Sequence, residues 1–136
     1  MILVACLDDD NGMMFNHRRQ SQDRELRKHL LLISSGQKLW MSRYSAKQFE
    51  VDCKQIIADD SFMLKAKDGD YCFVEDVDAA QYESKVEKII IYRWNRKYPS
   101  DLRFTIPLNG GLWKKTKVED FAGCSHENIT MEVHEK

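Results

Sequence analysis

The chain has 136 residues, 43% of them hydrophobic and 32% charged, with a formal net charge of −1. That length suits one domain, and roughly two thirds of the unfolded surface can be buried without a metal or disulfide staple. The composition excludes a disordered chain, and two prolines with six glycines exclude a low-complexity or collagen-like one. The balanced charge argues against a dedicated nucleic-acid binder.

Ile2 to Leu7 is an unbroken apolar run closed by Asp8-Asp9-Asp10-Asn11-Gly12. It predicts a strand buried on both faces and then a turn. The run is too short for a signal segment or a membrane span, so a cytoplasmic location with no membrane partner is expected. Cys6, Cys53, Cys72 and Cys124 form no C-x-x-C pair and are expected to be reduced thiols.

Residues 13–21 read as a polar loop carrying His17, Arg18 and Arg19. Ser21 suits a helix N-cap, with Asp23 and Glu25 in the first turn, where the helix dipole favours acids. Leu26, Leu30 and Ile33 form the apolar stripe, and Gly36 is the stop signal. Short strands are expected at Lys38–Met41, Ile56–Ala58, Phe62–Leu64 and Tyr71–Val74, with short helices at 45–51 and 78–84. Val86–Trp94 predicts a strong central strand. Leu102–Leu108 and Trp113–Val118 are candidate strands around Asn109-Gly110-Gly111, and His126–His134 alternates like a half-exposed strand. Alternating elements followed by an all-strand last third predict an α/β fold. Its central sheet is mostly parallel, with helices on both faces and an antiparallel C-terminal hairpin.

Four histidines are present, and none stands in a metal-ligand pattern such as H-x-H or H-E-x-x-H. No metal site is expected. P-loop, Gly-x-Ser-x-Gly and Gly-x-Gly-x-x-Gly motifs are absent. Arg93-Trp94-Asn95-Arg96-Lys97-Tyr98 interleaves basic and aromatic residues. With Arg18 and Arg19 it could contact a phosphate backbone, or simply form a solvated basic face.

The opening strand, the Asp-x-x-x-Gly-x-x-x-Asn step from Asp8 to Asn16, the acid-bearing helix and Met41-Ser42-Arg43-Tyr44-Ser45 together resemble dihydrofolate reductase. Ile89 to Phe104 and Ser125-His126 resemble that family's C-terminal part. The resemblance covers most of the chain and implies one domain, 1–136, of that fold, with Ile2–Leu7, Lys38–Met41 and Ile89–Tyr92 as neighbouring strands. It implies a pterin-binding catalytic acid at Asp23, with Glu25 as the alternative in register; on spacing alone Asp23 reads as a first-turn helix acid near an N-cap. It places Arg43 and Ser45 on the cofactor side and Tyr92 in the substrate pocket or core.

The departures bear on function. The family's Gly-Gly step for the cofactor phosphates stands here as Glu75-Asp76, two acids that repel a pyrophosphate. Both are expected at the sheet's C-terminal edge near Arg43, which would offset one of them. The expected function is therefore a diverged, non-catalytic domain without a cofactor, binding a protein partner or small ligand. The alternative is a small NADPH-dependent pterin or folate reductase using Asp23. Nucleic-acid binding ranks last.

Overall fold

The computed structural model describes residues 1–49 and 53–136. The opening apolar run forms β1 (Ile2–Leu7), with β2 (Gly12–Phe15) and β3 (Arg18–Arg19) after it and then helix α1 (Arg24–Ile33). Next come β4 (Leu39–Met41), α2 (Arg43–Ala46), β5 (Ile56–Ala58), α3 (Phe62–Lys65) and β6 (Tyr71–Phe73). A 3₁₀ segment at Ala80–Lys85 leads to β7 (Lys88–Arg93), β8 (Leu102–Arg103), β9 (Lys114–Phe121) and β10 (Ile129–Glu135).

The main sheet has seven strands in the order β5-β4-β6-β1-β7-β10-β9, and β3-β2-β8 form a small second sheet. Strands β5 through β7 run parallel, β10 is antiparallel to β7, and β9 is antiparallel to β10. The chain is thus a mostly parallel α/β sheet with an antiparallel C-terminal hairpin. β1 lies in its centre, which is why its side chains are apolar without alternation. Leu3, Ala5 and Leu7 enter one core with Phe62 and Met63 of α3. Ile2 and Val4 enter the other with Leu26 and Leu30 of α1. Helices therefore cover both faces.

Several local expectations are corrected. β1 neighbours β7 as expected, but β6 intervenes between β1 and β4. Residues 13–21 are no plain loop: Asn16 and His17 both take positive φ (51° and 60°) and close a tight hairpin between β2 and β3. Phe62–Leu64 is helical, because Phe62 and Met63, adjacent in sequence, both enter the core while Leu64 stays exposed. Alternation cannot place two neighbours on one face. In 102–108, Phe104, Ile106 and Leu108 do alternate inward, but only Leu102 and Arg103 find a ladder partner, in β2. β9 pairs with β10 instead of with that segment. The short helix expected at 45–51 is realised as α2, four residues from Arg43, and residues 50 and 51 lie outside the described ones.

Candidate functional site at the C-terminal edge of the sheet

The N-cap of α1 is Asp23, not Ser21. Asp23 holds extended backbone (φ −151°, ψ 129°), and its Oδ1 accepts the amides of Glu25 and Leu26 at 2.9 and 3.4 Å. A second set of donors explains why this residue prevails over Ser21. Cys124 N–H donates to Asp23 at 2.9 Å, Ser125 N–H at 2.8 Å and His126 N–H at 3.1 Å. The Ser125 hydroxyl lies 3.2 Å from Oδ2, and His126 Nδ1 lies 3.1 Å from it. Only a carboxylate supplies enough lone pairs for all of these. Asp23 is 2% exposed. Burial alone would raise its carboxyl, but the Cys124 amide, His126 and the Ser125 amide outweigh that and hold it well below the usual carboxylate range. Glu25 sits on the helix surface, beside Lys28 at 3.5 Å.

Asp8 is a second buried acid, at the end of β1. It accepts the amides of Asp10 and Gly12 through Oδ1, and Gln20 Nε2 and the Tyr98 amide through Oδ2. Burial would raise this carboxyl too; the hydrogen bonds reverse the shift and lower it. It ties the β1 turn to the loop after β7. Gly12 is required there, since a Cβ would lie 2.5 Å from Gln20 Nε2 and 2.7 Å from Ser100 Cβ.

Glu75 and Asp76 follow β6 at the same edge. Glu75, 6% exposed, receives Arg19 Nε at 3.0 Å and Nη2 at 3.3 Å, and Gln48 Nε2 at 3.0 Å. Arg19 stacks 4.4 Å above the Tyr44 ring, and its amide donates to the Tyr44 hydroxyl at 2.9 Å. Asp76 Oδ2 accepts the Ser42 hydroxyl at 3.1 Å, while its buried Oδ1 has no partner among the described residues. Arg43 does not offset either acid. It turns outward and makes a two-nitrogen pair with Asp60, at 3.0 and 2.7 Å. Asp60 is closer because its loop meets the start of α2, where it also accepts the Arg43 amide. Ser45 is fully buried and donates its amide to Ser42 Oγ, closing the N-cap of α2.

Tyr92 lies fully buried beneath α1, with its hydroxyl 2.7 Å from His29 Nδ1. His29 stacks on Phe121 at 4.5 Å. Asp23, Arg43 and Tyr92 thus occupy separate neighbourhoods, while Asp76 lines one cleft with Ser42, Arg43 and Asp60. Among the described residues a cleft of ≈ 690 Å³ opens beside the small sheet, lined by Met14, His17, Tyr44, Asp76, Asp101 and Leu102. No group of three or more His, Cys, Asp or Glu there could hold a metal ion. Of the basic residues that a phosphate-backbone contact would need on one face, Arg19 pairs with Glu75, Arg93 with Glu132 at 3.4 Å and Lys97 with Asp10 at 3.4 Å. No described helix is long and apolar enough to cross a membrane.

Sequence reasoning missed His126 as the partner of Asp23. The only signal was Ser125-His126, 102 and 103 residues downstream, and nothing in local pattern joins positions that far apart.

No protein-family model matches the chain, and no curated protein matches it in sequence. Among solved structures it is similar to dihydrofolate reductase from Enterococcus faecalis, in a complex with NADP(H) and RAB-propyl. The identity is 7% and the TM-score 0.65, over 98% of this chain and 94% of that one. The chain therefore has a dihydrofolate reductase-like fold.

Proposed function

We propose that the chain is a binding domain on a dihydrofolate reductase-like scaffold and does not reduce a pterin. The observation that carries this reading is the saturation of Asp23. Both its oxygens are engaged by the chain itself, and the residue is 2% exposed. An acid that serves a pterin must offer its oxygens to the ligand's amidine edge. Opening this one means breaking the anchor of α1 and of the 123–126 loop together.

The cofactor side supports the same reading. NADP(H) accompanies the E. faecalis enzyme, but the residues here do not fit a pyrophosphate. Glu75 fills the edge and consumes Arg19, Asp76 adds a second carboxylate, and Arg43 is held by Asp60. An uncompensated carboxylate ~4 Å from a phosphate charge costs roughly 1 kcal/mol at the dielectric of bulk water and roughly 4 kcal/mol at that of a protein surface. The cleft beside Tyr44 offers apolar Met14 and Leu102, two ring walls and two acids. That lining suits a small neutral or cationic ligand, or a side chain of a protein partner, better than a nucleotide.

The test is direct. Purified chain is assayed for dihydrofolate reduction with NADPH and for thermal stabilisation by each compound. The expected result is no turnover and no shift. Turnover at an ordinary enzymatic rate establishes the reductase instead.

A further inference from the structure

We infer that Ser21, His126 and Asp23 form a hydrolytic triad in which Ser21 Oγ is the nucleophile toward small carboxylic esters. Asp23 Oδ2 lies 3.1 Å from His126 Nδ1, and His126 Nε2 lies 3.1 Å from Ser21 Oγ. Asp23 and Ser21 thus contact opposite nitrogens of one imidazole, the arrangement a general base needs, with Ser125 Oγ also 3.1 Å from Nδ1. The saturation that withdraws Asp23 from a ligand suits this role. A buried carboxylate fixed by the amides of Cys124, Ser125 and His126 cannot turn, so it selects the tautomer with the proton on Nδ1. The Nε2 lone pair then faces Ser21. The ring is clamped from one side by Trp94, stacked at 4.5 Å.

Access and charge stabilisation follow from where Ser21 stands. His126 is 3% exposed, whereas Ser21 is half-buried on the approach to α1. The amides of Ser21 and Gln22 donate to none of the described residues. They flank Ser21 and can donate to an acyl oxygen held there, whereas the first amides of α1, those of Glu25 and Leu26, are already taken by Asp23.

The step balances without an oxidant or reductant. Ser21 Oγ bonds to the acyl carbon while its proton passes to His126 Nε2. The same proton goes to the leaving alcohol oxygen as the ester C–O bond breaks. Water then adds to the acyl-serine with His126 as base, releasing the carboxylic acid and regenerating Ser21. The Tyr98 hydroxyl also lies 3.1 Å from Nε2 and competes for its lone pair, so the experiment must separate the two hydroxyls.

The full chain is treated with a fluorophosphonate probe, whose P–F bond is displaced by an activated serine, and the adduct is mapped by mass spectrometry. Hydrolysis of p-nitrophenyl acetate is followed in parallel. One adduct is expected, on Ser21. S21A removes only a hydroxyl with no partner but His126 among the described residues, so it should stay folded by circular dichroism, take up no label, and lose on the order of a hundredfold in hydrolysis. A folded native chain that takes up no label overturns the inference, as does an adduct on Tyr98 or Ser125, or unchanged hydrolysis in S21A. None of these results bears on the cleft or on NADPH.

Discussion

Gly123 packs so closely against Asp23 that a Cβ at position 123 would lie 2.7 Å from Asp23 Oδ2, and 2.6 Å from the His126 carbonyl oxygen. Backbone and a saturated carboxylate bound that space, and neither can move aside cheaply. Gly123→Ala is therefore expected to destabilise by roughly 1 to 3 kcal/mol, in the range of overpacked sites. Urea unfolding should show the loss in the midpoint with the slope unchanged. A midpoint equal to that of the native chain would mean that the loop sits away from Asp23.

Asp23→Asn puts an NH₂ where donors already converge, leaving one oxygen for the remaining amides. The expected cost is about 2 to 3 kcal/mol, typical for hydrogen bonds to a charged group. The variant also tests pH dependence. The folded carboxyl is depressed below its unfolded value, so its contribution is present above about pH 4 and lost as pH falls further. Native stability should fall between about pH 4 and pH 2. The asparagine variant should show a shallower acid limb, measured by urea midpoints across that range.

Tyr92→Phe keeps the buried ring and removes the hydroxyl that meets His29 at 2.7 Å. About 1 kcal/mol should be lost, which for a chain of this size lowers Tm by roughly 3 to 5 °C. A change of that size with unaltered ligand binding assigns Tyr92 to the core under α1. Altered ligand affinity would return it to a pocket role.

Replacing Glu75 and Asp76 together by glycine removes both acids from the edge and releases Arg19. The native chain should show no thermal shift with NADPH, and the double variant should gain one. Stabilisation of ~2.7 kcal/mol is expected at a hundredfold excess over Kd. A folded double variant with no shift would mean that the acids are not what bars the cofactor.

β1 and β7 were legible because both are buried on two faces and read as long apolar runs, with Ile89, Ile90 and Ile91 at the centre of β7. α1 was legible from Leu26, Leu30 and Ile33, a stripe only a helix explains. α3 was not, because three apolar residues fit a strand or a turn of helix equally, and the core contacts of Phe62 and Met63 decided it. Within the site, Asp23 was visible as an acid at the start of α1, but its partners Cys124, Ser125 and His126 were not.

The sequence by itself determined the α/β class, the mostly parallel orientation of its central strands and the acidic character of the step after β6, but not the place of β6 between β1 and β4. Those properties follow from periodicity and residue type, which are local. The tertiary structure alone decided which charges meet. It gave Arg19 rather than Arg43 to Glu75, and gave Arg43 to Asp60. It also brought His126 across 103 residues to Asp23. Such pairings depend on loop paths, and a loop path is fixed by packing among residues far apart in the chain, which no window of sequence contains.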